Sequence, residues 1–339
     1  MTGIVTAICV ILIFGLIVFI HEFGHFITAK LFGVTVHEFA IGMGPKLFGK
    51  KYKETEYSVR LIPMGGYVKM EGEDEASQED GAFSQKKPWQ RFIILFAGAF
   101  MNLVLGFVLL VIMNAANPDL PVIPTMQIES VQAGMGAEQA GILPGDQLLR
   151  VEGRRVHTHL DLNLSLHEKE SVSVTVKRND ETMEFTVPLT EEEGYRYLGI
   201  VRKAEEKNLW NVISYSFFEG ISIIKLTYQS FFGMFTGAVS VNQMSGPVGI
   251  VNEIGTAVKS GIFDVLFIAI LISLNLGVVN LFPLPALDGG RIVFVLWEMI
   301  TRKKLKPEHE GIIHFIGFVI LIGLVLYVTK NDVIRLFQK

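Results

Sequence analysis

The sequence is poor in cysteine. Of 339 residues only Cys9 carries a thiol, and it lies inside an apolar run. One thiol excludes an internal disulfide and any zinc site built from cysteines. A surplus of positive charge is missing too: 30 Lys and Arg stand against 34 Asp and Glu, a formal net charge of −4. The basic residues are scattered among acidic ones, so no stripe offers a surface to nucleic acid. Charge of either sign is absent from Ile4 to Phe19, sixteen residues. What is abundant is apolar matter. Half of the chain is hydrophobic and the mean hydropathy is positive, which is too apolar for an ordinary soluble protein and fits several membrane segments plus a domain. The N-terminal run has no basic flank before it and no small-residue cleavage site after it, so it is expected to be a retained helix and not a signal peptide.

Four stretches, roughly 4–30, 92–114, 262–282 and 311–329, come near the ~20 apolar residues that a bilayer requires. Between Lys30 and Arg91 inclusive there are ten Lys and Arg, and the short loop before the last stretch holds Arg302, Lys303, Lys304 and Lys306. By the positive-inside rule both loops are expected to be cytoplasmic, with the N-terminus and residues from about 115 to 261 outside. Glu71, Glu73, Asp74 and Glu75 share the first loop but weigh little in that rule.

The first apolar run leads into His21-Glu22-Phe23-Gly24-His25. On a helix, the four-residue spacing puts both imidazoles on one face, one turn apart, where they converge on a metal. Glu22 is off their direction and is placed to take a proton from an activated water. A chance HExxH in a chain this long is on the order of 1%, so two interfacial histidines closing a helix end is the weaker reading. Catalytic zinc usually has three protein ligands plus a water, and two histidines leave one to find. Asp288, within NLFPLPALDGGRI at 280–292, is the candidate, because an acid this close to a span is costly unless paired or liganded. The first and third spans run in the same direction by the loop charges, so HExxH and Asp288 are expected at similar depth. Pro283 and Pro285 should break the helix ahead of the acid, and Gly289 and Gly290 allow a sharp turn, so that irregular backbone lines a polar cavity. On these residues alone, a solvated Asp in a Pro/Gly loop stays open as the alternative.

HEFGH at 21–25, GAFMN at 98–102, SGPVGI at 245–250 and NLFPLPALDGG at 280–290 together resemble the motifs of the site-2 proteases. The resemblance covers nearly the whole chain and is closest to the bacterial RseP-type intramembrane zinc metalloproteases. It implies one Zn2+ per chain held by His21, His25 and Asp288, with Glu22 as general base and Asn280 near the scissile peptide as a donor to the oxyanion. It also implies substrate-side roles for Asn102, Gly65 and Gly66.

Residues 52–70 hold β-rich stretches broken by Pro63, Gly65 and Gly66, which predicts a hairpin or short sheet. The resemblance implies a membrane-reentrant hairpin whose open edge can add an unwound substrate as a further strand. Residues 118–202 read as a separate β-rich domain, with alternating segments such as SVSVTVKR and ETMEFTV. Within it AGMGAEQAGILPGDQLLRVEGRRV at 133–156 resembles a bacterial PDZ domain, with Gly141, Pro144, Gly145 and Asp146 in a turn. That resemblance implies a carboxylate-binding loop at Tyr197, Leu198, Gly199 and Ile200; a rigid spacer that binds no peptide is weighed equally. The aromatic stretch after Asn208 is interrupted by Glu219 and Lys225. A fifth crossing there would put Asp288 on the wrong side from HExxH, so an interfacial helix is expected.

The expected fold is a polytopic α-helical membrane protein of about four transmembrane helices, with a cytoplasmic-side membrane-associated β-hairpin and an inserted extracytoplasmic PDZ domain. Its parts are residues 1–117, the PDZ domain 118–202, an interfacial region 203–261, and 262–339 with the last two spans. The expected function is a bacterial cell-membrane zinc endopeptidase that cuts single-span proteins, such as anti-sigma factors or signal-peptide remnants, in the lipid bilayer, with no nucleic-acid partner. A PDZ adaptor with a vestigial metal site is the alternative. A metal transporter is weaker, because no chain of polar residues continues across the bilayer.

Overall fold

A computed structural model describes residues 2–73, 77–166, 169–192, 194–240, 242, 244–304 and 307–338; Asp74, Glu75 and Lys306 lie outside the described residues. Its contacts divide the chain into two compact units, Met1–Leu109 with Thr227–Lys339, and Leu110–Leu226.

The first unit opens with α1 (Thr2–Leu31), an apolar run without proline. It ends where Gly33 takes φ +67°, a turn that glycine makes without a Cβ penalty. Two long antiparallel strands follow, β1 (Val36–Tyr52) and β2 (Thr55–Met70). The hairpin differs from the expected one in where it turns. Its tip is at Lys53, with φ +53°, while β2 continues through Pro63, Gly65 and Gly66. Repeated register shifts absorb those residues, and β1 meets β2 twice: Phe39 faces both Val68 and Tyr57, and Ala40 both Tyr67 and Ser58. Glu38 ties the folded-back strands together. Its Oε1 accepts from Ser58 Oγ at 2.6 Å and Arg60 Nη2 at 2.8 Å, and its Oε2 from Tyr67 OH at 2.7 Å. Burial alone would raise the Glu38 carboxyl, but these donors hold it down to about 2. Burial and the Glu38 charge together push the Tyr67 hydroxyl up to about 12. Next, α2 (Pro88–Ala116) begins on a proline, whose missing N–H costs nothing at a helix start.

The second unit holds β3 (Val122–Val131), α3 (Gly136–Gln139), β4 (Gln147–Val151), β5 (Arg154–Arg155), α4 (His159–Leu166), β6 (Ser171–Arg178), β7 (Glu181–Pro188), β8 (Thr190–Glu192), β9 (Tyr195–Tyr197) and β10 (Ile200–Glu206). The main sheet runs β10-β3-β4-β6-β7, with β5 on β4, and β8 pairs with β9. Val172, Val174 and Val176 alternate into the core beside Ile128, Leu148 and Val151, as a half-buried strand requires. Buried Asp146 accepts from Arg178 Nε and Nη2, each at 2.7 Å, and from the Leu143 N–H at 2.9 Å. The expected peptide loop stands between β9 and β10. Leu198 is buried, and the Leu198 and Gly199 carbonyls accept from the N–H groups of Ala137 and Gln132.

Helix α5 (Leu209–Thr236) starts in the second unit and ends in the first. It is followed by α6 (Pro247–Ser260), α7 (Ile262–Val279), α8 (Asp288–Thr301) and α9 (Pro307–Phe337). The amphipathic α8 falls where a loop was expected. By length and composition, four described helices could cross a membrane: Thr2–Leu31, Pro88–Ala116, Ile262–Val279 and His309–Phe337. Along α9, Phe315, Ile320 and Leu326 are each more than 60% exposed, apolar surface on more than one side of the helix that suits lipid. Among the described residues of the first unit, two clusters form the core. Ile13 and Ile17 of α1 pack on Ile254 of α6 and Ala269 of α7. Nearer the end of α1, Ala29 joins Phe39 and Val68 of the hairpin, Ile94 of α2 and Ile292 of α8.

Glu38→Ala should loosen the hairpin by about 2 kcal/mol, the scale for hydrogen bonds to a charged group, read as faster amide exchange across Tyr57–Val68. Because the folded carboxyl lies below its unfolded value of ~4.3, the gap between parent and variant should be constant above that pH. It should close as the pH falls toward 2. An equal gap at every pH would show that the charge of Glu38 is not what holds the strands.

Candidate metal and active site

The site begins with two helices that touch almost backbone to backbone. A Cβ on Gly24 of α1 would lie 2.4 Å from the Ala97 carbonyl oxygen, and one on Gly98 of α2 would lie 2.2 Å from His25 Nε2. Gly98 therefore makes room for the His25 ring. One turn on, Asn102 brings its amide nitrogen within 3.3 Å of His21 Nδ1. The i, i+4 pair on α2 thus answers the i, i+4 pair on α1, a glycine opposite one imidazole and an amide opposite the other.

Each ring is oriented from behind. His25 Nδ1 is 2.8 Å from the Ile94 carbonyl, which can only accept, so Nδ1 carries the proton and Nε2 keeps a lone pair. His21 needs the same tautomer to face the same way. Asn102 is fully buried and its Oδ1 has no hydrogen-bond partner; turned by half a rotation, the amide accepts from His21 Nδ1–H and the orphan disappears.

The third group arrives on the first residue of α8, just after the loop from α7. Glycines let α7 lie close: a Cβ on Gly277 would lie 2.8 Å from Leu103 Cδ2 of α2, and Ser273 Oγ donates to the Asn102 carbonyl at 2.8 Å. Beyond the last turn of α7 the chain folds back on itself, the Gly289 N–H donating to the Asn280 carbonyl at 2.7 Å. Gly289 and Gly290 are needed here, since a Cβ on either would lie within 2.5 Å of a loop carbonyl oxygen. The result is that Asp288 Oδ2 stands 3.3 Å from His21 Nε2 and 3.4 Å from His25 Nε2, while the two Nε2 atoms are 3.3 Å apart. Donors about 2.1 Å from a tetrahedral centre stand about 3.4 Å from one another. Three near-equal edges of that length, with Asp288 Oδ2 buried and lacking a hydrogen-bond partner, fit the donor set of a zinc ion.

Glu22 lines the same cavity of about 1250 Å³, with Met43, Gly66, Tyr67 and Leu287 among its walls. A Cβ on Gly66 would lie 3.0 Å from Glu22 Cγ, so β2 passes directly over this glutamate. Asn280 places its amide nitrogen 3.4 Å from His21 Nε2, on the metal side of the ring. Gly65 takes φ +80° next to Met43, bending β2 toward the site. Near the α7–α8 loop, Phe231 and Tyr228 of α5 pack on Phe282 at ring distances of 3.9 and 5.2 Å. Gly98 was missed as a site residue from sequence, although its spacing to Asn102 repeats that of the histidines.

A His-His-Asp cluster that could hold a metal, with its two histidines on a membrane-length helix, is the arrangement a membrane metalloenzyme needs, and comparison with known proteins gives the class. The chain belongs to peptidase family M50, whose profile matches residues 9–324. A protein of Fusobacterium nucleatum, named by inference as a zinc metalloprotease, is 38% identical over 340 residues, covering 98% of this chain and 100% of that one. Zinc metalloprotease RasP of Shouchella clausii is 32% identical over 422 residues, with 98% and 100% covered. A solved PDZ domain of an SdrC-like protein from Listeria monocytogenes aligns with 23% of this chain and 87% of its own at 19% identity and TM-score 0.21. The chain is a zinc metalloprotease of the site-2 type and a multi-pass bacterial membrane protein.

Gly98→Ala would drive a methyl into the His25 ring, so zinc per purified chain, read by elemental analysis, should fall about tenfold or more with helix content unchanged. Asn102→Ala should weaken zinc similarly, whereas Asn102→Asp keeps an acceptor for His21 Nδ1–H and should hold zinc near the parent level. Full zinc in Gly98→Ala would remove the steric reading of the α1–α2 contact.

Proposed function

We propose that the protease cuts single-span membrane proteins within or beside their transmembrane helix, with zinc held by His21, His25 and Asp288 and with Glu22 as the general base. The observation that carries this reading is the trio of nearly equal separations among the two Nε2 atoms and Asp288 Oδ2. When bound, the metal supplies Lewis acidity toward a water and the scissile carbonyl. Glu22 takes the proton of the attacking water and passes it to the leaving amine. Asn280 donates from its amide to the oxyanion that forms at the carbonyl.

A transmembrane helix satisfies its own backbone hydrogen bonds, and water reaches a peptide carbonyl only after the helix opens. The β1–β2 hairpin receives the opened segment as an added strand, with Gly65 and Gly66 keeping that strand close over Glu22. The loop charges put residues 31–91 on the cytoplasmic side, and the N-terminus and 118–202 outside. The outer domain, 118–202, is a PDZ module that selects substrates, with Tyr197, Leu198, Gly199 and Ile200 as its carboxylate loop. Residues 203–261 carry α5 as an interfacial helix beside the entrance, and 262–339 return the chain through the membrane twice. Anti-sigma factors and signal-peptide remnants are the substrate classes that suit such a site.

Purified variants separate base from ligands. Glu22→Gln should keep zinc while cleavage of a single-span substrate falls by ~10²-fold or more; His21→Ala, His25→Ala and Asp288→Ala should lose zinc and cleavage together. A Glu22→Gln protein that still cuts well removes the proposed base, and Asp288→Ala with full zinc removes the third ligand.

A further inference from the structure

The loop that leads into Asp288 bonds much of its backbone to itself, as in Leu287 to Leu284 and Gly289 to Asn280, but Ala286 takes its partner from elsewhere. Leu287, where α8 begins, offers no side-chain cap to the helix, and just before it Ala286 sits at φ +71°, a left-handed conformation that residues with a Cβ rarely adopt. Such a residue persists only when its surroundings fix it. Here the fixing group comes from the last helix. The Ala286 N–H donates to His314 Nδ1 of α9 at 2.9 Å. One turn later on the same face of α9, Gly317 meets the preceding residue so closely that a Cβ there would lie 2.3 Å from Pro285 Cβ and 2.8 Å from the Pro285 carbonyl oxygen.

His314 is itself held. The Phe294 ring of α8 stands edge-on to it at 5.5 Å and 88°. Because Nδ1 accepts from a backbone N–H, the ring proton belongs on Nε2, and that nitrogen faces Glu310 Oε1 at 3.9 Å. The side chain is 16% exposed. A histidine within a membrane-length helix is costly to keep without a partner and is a mark of function; this one spends its acceptor on the residue two before Asp288.

The geometry points to His314 as a positioning residue for the metal site: from α9 it pins the left-handed turn at Ala286 and so fixes where Asp288 presents its carboxylate. The inference rests on the reading of Asp288 as a zinc ligand. His314 is not one of the three groups that could hold the metal, and its effect should appear in metal retention before it appears in chemistry.

The test is zinc affinity of the full-length protein in detergent, by competition with a chromogenic chelator. His314→Phe keeps the ring contact with Phe294 and removes the acceptor, and should weaken zinc about tenfold, the lower end of what outer-shell partners contribute. His314→Asn can place Oδ1 where Nδ1 was and should bind zinc within about twofold of the parent, by the same acceptor logic. Ala286→Gly relaxes the turn, since glycine takes positive φ freely, and should recover most of the loss when combined with His314→Phe. In an Asp288→Ala background, His314→Phe should have no further effect. Parent-level zinc in His314→Phe overturns the inference. So does a loss that neither Asn at 314 nor Gly at 286 repairs, or one that persists without Asp288. Unchanged zinc in Asp288→Ala alone would instead overturn the ligand assignment, and is scored separately.

Discussion

The contact on which the site depends is the one between Gly24 and Ala97–Gly98, where α1 and α2 approach with almost no side chain between them. In a bilayer, helices gain little by hiding apolar surface from one another, since lipid is as apolar as leucine; close backbone approach is what such an interface rewards. Here the approach has a chemical consequence. It puts the Ile94 carbonyl and the Asn102 amide directly behind the two imidazoles, and so fixes both Nε2 lone pairs on one point. Wider spacing would leave the same histidines with rotational freedom.

The second constraint is the polar cost of irregular backbone at membrane depth. From Asn280 to Leu287 the chain is neither helix nor strand, and each N–H and carbonyl there needs a partner. The loop finds many inside itself, as with Leu284 to Phe282 and Gly289 to Asn280. It finds another on α9 through His314. The neighbouring helices therefore do for this loop what water does for a surface loop, and the rigidity this imposes is what the proposed role of Asp288 as a metal ligand would require.

How much of this could be read from the chain differs by element. The four spans follow from runs of apolar residues, a signal that sums over many positions; three of the helices found cover the expected stretches and the third of the four, Ile262–Val279, stops three residues short of 282. HExxH stands out in the sequence because ionisable residues beside a membrane segment are costly without a task. Asp288 alone reads equally well as a solvated acid in a Pro/Gly loop; what the structure adds is its place within 3.4 Å of both Nε2 atoms. The hairpin turn was misplaced because Pro63, Gly65 and Gly66 look like a turn locally, whereas pairing with β1 keeps them extended and leaves the turn to Lys53. Helix α8 was missed because its two leading glycines and the prolines ahead of it advertise a loop, while its support comes from packing of Ile292 and Val295 with residues far away in sequence. Gly98 against His25 and His314 against Ala286 meet residues far away in the chain, and no local pattern encodes a contact of that kind.

The hairpin and the His-His-Asp cluster can be understood, under the proposed function, as two halves of one requirement. A peptide in a helix offers neither a free carbonyl nor a free edge, so a site in the membrane must both stretch the chain and attack it. Gly66 lets β2 run 3.0 Å from the side chain of Glu22 at the position where a Cβ would stand, so a strand paired to the hairpin would be delivered next to the proposed base. The Glu38 network holds that strand in place by linking β1 to Ser58, Arg60 and Tyr67 at once. The network is electrostatic and stiff, while the glycines beside it are small and permissive. Stiffness fixes where the strand runs, and the absence of side chains fixes how close it comes; the proposed chemistry, with a base on a helix and a substrate added to the sheet, would need both.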